Sequence, residues 1–200
     1  MSNTTISPDT STARKAMIDS QLRTSGVNEE FVLGRMNAVA REDYLPEDKA
    51  AIAYIDRSIA LEAGAHLASP LFYGKLLLEA APGKNDRTLV VEGGTEYLTD
   101  LVRPLVSDLE TVSANDAAKG AIPKGSYDLI LVDGAIEQLP DALADALIEG
   151  GLIVSGLVVR QVTRLASGRK IAGEVALSVV EDLGIPVLYV FDQPKSWTFT

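Results

Sequence analysis

The chain changes its hydrophobic period partway along. From Ala13, apolar residues recur as Ala13, Met17, Ile18 and Leu22, the spacing of one helical face, and Gly26 supplies a stop. Asn28 followed by Glu29 and Glu30 reads as an N-cap with acid in the first turn. It opens a second helix through Phe31, Val32, Leu33 and Met36. Residues 41–66 carry isolated apolar positions and read as irregular. Ser69-Pro70 then pairs a cap with proline at the first helical position, which predicts a third helix over 71–81.

Beyond residue 87 the pattern becomes short apolar runs bounded by glycine. Thr88–Glu92 ends at Gly93-Gly94 and has the profile of a buried parallel strand. Leu109–Ala114 and Tyr127–Asp133 are further strands, and Asp141–Ile148 is a helix stopped by Gly150-Gly151. Leu152–Ser155 begins another strand, residues 157–180 read as a hairpin turning at Ser167-Gly168, and Val187–Phe191 is a final strand. Strands alternating with helices predict an α/β three-layer sandwich with a mostly parallel sheet and an antiparallel C-terminal edge. The expected organisation is a disordered tail over residues 1–12, a helical lobe over 13–82 and a sheet unit over 83–200.

Composition narrows the functions. Lys and Arg number 18 against 28 Asp and Glu, giving a net charge of −10, and acid exceeds base in both halves. That balance argues against nucleic acid and against anionic lipid as partners. The absence of cysteine excludes disulfides, thiol nucleophiles and thiolate metal sites, and the single histidine, His66, argues against a histidine-rich metal centre. The opening MSNTTISPDTSTARK has no apolar core, so no secretory signal and a cytoplasmic location are expected.

In sheets of this kind ligands sit beyond the carboxyl ends of the strands. The first strand here ends Val91-Glu92-Gly93-Gly94-Thr95-Glu96, which reads either as a cofactor loop or as a plain tight turn. A dinucleotide site is disfavoured, because the three-glycine spacing is missing. Ser69 reads as a helix cap, and His66 is open to a structural or a catalytic reading.

Ala13-Arg14-Lys15-Ala16-Met17-Ile18-Asp19-Ser20-Gln21-Leu22-Arg23, followed by Gly26-Val27, resembles the opening of the protein-L-isoaspartate O-methyltransferases. So do Val32-Leu33, Met36, Val39, Arg41-Glu42, Tyr44, Pro46 and Ala53-Tyr54-Ile55-Asp56, and later Tyr127–Val132, Leu139-Pro140 and Gly150–Val154. The resemblance covers about residues 13 to 191. It implies a class I methyltransferase fold and transfer of a methyl group from S-adenosylmethionine to isoaspartyl carboxylates in damaged protein. The cofactor would then be held by Glu92, Gly94, Thr95 and Asn115, with Ser69 as the catalytic hydroxyl.

The chain departs from the family pattern at four places. The family's Glu-x-Gly-Thr-Gly-Ser-Gly is here Glu92-Gly93-Gly94-Thr95-Glu96-Tyr97-Leu98, so Glu96 would face the cofactor carboxylate and Leu98 would fill a backbone approach. Asn115 stands where the ribose-binding acid belongs, unless a one-residue slip brings in Asp116. Only eleven residues separate Asn115 from Tyr127, too few for the family's third strand and its helix, which need about 20. The catalytic serine position of the Thr/Ser-Ile-Ser-Gln-Pro segment is Ala68, with Ser69 one place later. Two functions stay open: a methyltransferase, or a non-catalytic module on the same scaffold. The exposed second strand must be covered by residues 115–126 or by a partner chain, a homo-oligomer in the latter case.

Overall fold

The computed structural model describes residues 10–192. Residues 1–9 of the expected tail lie outside it, and helix α1 (Ser11–Met17) already begins two residues before Ala13. It continues through a π turn (Ile18–Leu22) and a 3-10 turn (Arg23–Ser25), burying Met17, Ile18 and Leu22. Gly26 ends it at φ 85°, where its N–H closes on the Arg23 carbonyl at 3.1 Å. Helix α2 (Glu30–Ala38) starts later than expected. Glu29, not Asn28, holds the cap position, and its carboxylate accepts the Asn28 backbone N–H at 3.2 Å.

Residues 41–66 hold short pieces: a 3-10 turn (Arg41–Tyr44), helix α3 (Glu47–Ala50), and a ribbon of β1 (Ile59–Ala60) and β2 (His66–Leu67) with Ala60 paired to His66. Helix α4 (Pro70–Ala80) follows, and Ser69 caps it by accepting the Phe72 N–H at 3.3 Å.

The main sheet is built from β3 (Arg87–Glu92), β4 (Asp108–Ser113), β5 (Tyr127–Ile136), β6 (Leu147–Val159), β7 (Val162–Ile171), β8 (Glu174–Val175) and β9 (Ser178–Asp182). Helices α5 (Tyr97–Val102), α6 (Ala114–Ala118) and α7 (Asp141–Ala146) fill the crossovers. Strand order is β4-β3-β5-β6-β7, with β8 and β9 both on the outer side of β7. The first four are mutually parallel, and β7 runs antiparallel to β6. Alternation along β3 explains the two layers. Val90 enters a core shared with α1, α2 and α4, while Leu89 and Val91 face a second core with Ile130, Val132 and Leu143. The first core runs through both the helical lobe and the sheet unit. This is the α/β sandwich with a mostly parallel sheet and an antiparallel C-terminal edge that the strand pattern implies.

Among the described residues, no strand lies outside β4, in agreement with the short 115–126 segment. That segment does not form a covering strand. After α6 it turns back, with the Pro123 carbonyl taking the Tyr127 hydroxyl at 3.2 Å and Ile122 joining the second core.

Three sequence expectations need correction. The β6–β7 hairpin turns at Arg160-Gln161, both left-handed at φ 52° and 66°, whereas Gly168 sits inside β7 opposite Ile153. Glycine is needed there for a packing reason, since a Cβ would lie 2.6 Å from the Ala176 carbonyl oxygen. Gly150-Gly151 lies in a bulge within a longer β6, between the Tyr127–Leu147 and Leu129–Leu152 pairs. Residues 187–191 make only one bridge, Val187 to Ala135, before a 3-10 turn over Tyr189–Phe191. No helix among the described residues is long and apolar enough to cross a membrane.

Arg41 joins the layers. Its fully buried guanidinium donates to the Ala53 carbonyl at 2.8 Å and the Ala68 carbonyl at 2.7 Å, over the rings of Tyr97 and Tyr73 at 5.0 and 5.6 Å. Arg41→Ala should therefore cost about 3–5 kcal/mol of unfolding free energy in urea titrations, because two buried carbonyls and two rings lose their partner together.

Candidate functional site

The site grows from the carboxyl end of β3. After Glu92 the backbone turns through Gly93 and Gly94, the latter at φ 115°. Both positions are crowded by the chain itself. A Cβ on Gly93 would lie 2.2 Å from the Asp133 carbonyl oxygen and 2.6 Å from His66 Nε2, and one on Gly94 would lie 2.3 Å from the Ala65 Cβ. The His66 N–H donates to the Gly93 carbonyl at 3.2 Å. The glycines are thus used to let Ala65 and His66 lie directly on the turn. Tyr97 and Leu98, which open α5, are fully buried, and Leu98 belongs to the first core.

Two clefts lie on either side of that contact. The first, about 270 Å³, is lined by Glu92, Gly94, Asn115, Ala65, Leu188 and Tyr189. It brings together three of the residues expected from sequence. Glu92 accepts the Thr99 hydroxyl at 3.0 Å, and burial, followed by the nearby charges of Glu96 and Asp100, pushes its carboxyl above the usual range. Asn115 is exposed on the first turn of α6. Asp116 does not line this cleft; its carboxylate accepts the Ser113 hydroxyl at 2.8 Å and its N–H donates back to Ser113 at 3.1 Å. Thr95 lies apart, its hydroxyl oxygen buried without a hydrogen-bond partner among the described residues.

The second cleft, about 580 Å³, is lined by Ser69, His66, Arg57, Asp56, Thr163 and Ile185 among others. Ser69 is therefore not in the cleft of Glu92, Gly94 and Asn115, and its oxygen is occupied as the α4 cap. His66 is part of the wall between the clefts. Its Nε2 lies 3.1 Å from the Asp133 carbonyl oxygen, and the Gly64 carbonyl is a second backbone acceptor for the ring. Burial holds the ring below its ordinary pKa and favours the neutral form.

Beneath the turn is a buried polar cluster that the sequence pattern does not single out. Asp133, fully buried near the end of β5, accepts the Tyr73 hydroxyl at 3.3 Å, and Tyr73 in turn accepts the Ala68 N–H at 3.1 Å. Asp133 Oδ1 and Arg41 Nη1 are buried with no hydrogen-bond partner among the described residues. Desolvation raises the Asp133 carboxyl to about 7, against the opposing pull of Tyr73, the Gly93 N–H and the Arg41 charge. The available sequence signal was an acid closing an otherwise apolar strand, followed by Gly134.

This raised carboxyl fixes the sign of a pH effect. Between about pH 4 and 7 the folded chain holds a proton at Asp133 that the unfolded chain has released, so this group's contribution to stability falls as pH rises and is flat above. The difference in unfolding free energy between wild type and Asp133→Asn should change by roughly 4 kcal/mol across that window, read from urea midpoints at a series of pH values. Parallel curves would contradict the assignment.

Comparison with known proteins accounts for this arrangement of strands. Residues 12–113 match the sequence model of the family Protein-L-isoaspartate(D-aspartate) O-methyltransferase, a match that ends with β4. A protein-L-isoaspartate O-methyltransferase of Koribacter versatilis is 26% identical over 193 residues, covering 84% of this chain and 87% of that protein. One from Methanoculleus marisnigri is 24% identical over 186 residues, covering 81% and 84%. Among solved structures, a Plasmodium falciparum chain assigned as a protein-L-isoaspartate O-methyltransferase, in complex with S-adenosyl-L-homocysteine, superposes with a TM-score of 0.69 at 18% identity. It covers 88% of this chain and 97% of that one, a likeness of fold. With half of its length matched by the family model and the sheet order to go with it, the chain belongs to the protein-L-isoaspartate O-methyltransferase family.

Proposed function

We propose that this chain is a non-catalytic member of its family, a binding module that keeps the isoaspartyl methyltransferase scaffold without holding S-adenosylmethionine at the ends of β3 and β4. The observation that carries this reading is the seat of Ala65 and His66 on Gly93-Gly94. A glycine turn serves a cofactor by letting ligand atoms approach the backbone, and here the chain's own atoms take that approach.

The donor set supports the same reading. Glu96, exposed on the turn, would oppose the carboxylate of the cofactor's methionine moiety, and Asn115 offers a ribose diol one acceptor oxygen where a carboxylate offers two. The first cleft, at about 270 Å³, lies below the usual range for sites that enclose a ligand of drug size. Beside β4, no third strand among the described residues supplies a wall for an adenine ring. The residues present do not fit the cofactor in the family's manner.

The partner on this reading is a protein or peptide carrying an isoaspartyl residue, met in the second cleft, whose lining includes the exposed Arg57 and Ser69. The competing reading, an active methyltransferase using Glu92, Gly94, Thr95 and Asn115 with Ser69, draws on the grouping of Glu92, Gly94 and Asn115 in one cleft.

Titration calorimetry with S-adenosylmethionine and S-adenosylhomocysteine at millimolar concentration separates the two. No saturable heat is expected, and no methylation of an isoaspartyl peptide above the enzyme-free rate. Saturable cofactor binding or turnover would establish the enzyme instead.

A further inference from the structure

An open sheet ends in strands whose outer backbone groups have no neighbour, and folds guard such edges with charge, proline, bulges or a covering segment. The two edges of this sheet are guarded differently. On the β7 side, β8 and β9 are separate short pieces, and β9 slips in register against β7 between Leu165 and Ala166. A slip of that kind deflects an approaching strand. On the other side, β4 pairs with β3 without a shift from Asp108 to Ser113, and it holds no proline and no lysine. Among the described residues no strand lies beyond it, and residues 115–126 supply most of α6 and a turn, not a covering strand.

The charge guard of β4 is also cancelled. Its two acids are Asp108 and Glu110, and Arg87 on β3 ion-pairs with both, reaching Asp108 at 3.2 Å. The open edge therefore presents backbone flanked by Leu109, Thr111 and Ser113 on one face, the last two exposed. A second copy of the strand fits this edge in one register. Identical strands related by a two-fold axis normal to the sheet run antiparallel, and each residue keeps its own face, so the axis passes through a residue. Centring on Glu110 sets two carboxylates against each other. Centring on Leu109 or Val112 shortens the ladder. Centring on Thr111 pairs residues 109–113 of the two copies, with threonine on threonine, Glu110 on Val112 and Leu109 on Ser113. No acid then stands opposite an acid.

We propose that the open edge of β4 is an interface between two copies of this chain, joined antiparallel about Thr111 into one continuous sheet. A second copy is the occupant because β4 is complementary to itself, in charge and along most of its length. Ser113 also lines the first cleft, so Leu109 of the second copy stands at the border of that cleft. The interface needs no cofactor, and it stands or falls independently of S-adenosylmethionine binding.

Sedimentation equilibrium of the full chain at micromolar concentrations should give twice the chain mass of 21.3 kDa. Thr111→Lys, at an exposed position, sets two like charges on the axis and should raise the dissociation constant at least about tenfold, with the circular dichroism spectrum unchanged. Cysteine substitution reads the register, because the chain has no cysteine of its own. Under mild oxidation Thr111→Cys should cross-link to itself. Leu109→Cys mixed with Ser113→Cys should cross-link as a pair, whereas neither does so alone. A chain that stays monomeric overturns the interface. It does so even where Thr111→Lys weakens capture of an isoaspartyl peptide, a result that assigns the edge to a peptide instead. A dimer that Thr111→Lys leaves intact, one that Val180→Lys on β9 dissolves in its place, or cross-linking indifferent to register overturns it equally.

Discussion

The buried guanidinium of Arg41 is the interaction on which the remainder of the molecule depends. Taking a cation wholly out of water is expensive, and it is tolerated only where hydrogen bonds and polarisable faces replace the lost hydration. Ala53 and Ala68 supply the carbonyls, and Tyr73 and Tyr97 supply the faces. Those four residues belong to four different segments. By holding Ala68, Arg41 positions Ser69 to start α4. By holding Tyr97, it sets where α5 leaves the glycine turn. Through Tyr73 it reaches Asp133 and so the end of β5. The packing of lobe on sheet and the geometry of the strand ends are one problem, solved by one side chain.

The second constraint is steric. Gly93, Gly94 and Gly134 are places where two backbones, or a backbone and a side chain, come closer than a Cβ permits. Close approach of this sort is a limited resource at the top of a parallel sheet. It can be given to a ligand or to another part of the chain. In this protein Ala65, His66 and Leu188 have taken it, which turns an open switch point into two separate clefts.

Much of this was legible in the residues. Local signals served where local physics decides: the apolar runs of β3 and β5, the Ser69-Pro70 start and the Gly26 stop all appear in the structure. The shortfall between Asn115 and Tyr127 was equally plain, because chain length limits what can be built. Other features depend on distant partners. Arg160 and Gln161 carry no turn signature, and their left-handed backbone follows from the long pairing of β6 with β7. Gly168 looks like a turn and is instead a packing glycine. Glu92, Gly94 and Asn115 meet in one cleft as their strand positions suggest. The separation of Ser69 and the cover provided by His66 come from the ribbon, whose placement no periodicity records.

Leu98 ties the glycine turn to the core. It stands at the last glycine of the family's cofactor motif, and its side chain is wholly inside the first core. Returning it to glycine would open a cavity of a large aliphatic side chain, a loss of about 3–5 kcal/mol, with a further penalty for glycine inside α5. The space is held by packing, whatever stands at Glu96 or His66. A single packed leucine thus makes the glycine turn an extension of the core, so that its sequence answers to packing before it answers to any ligand.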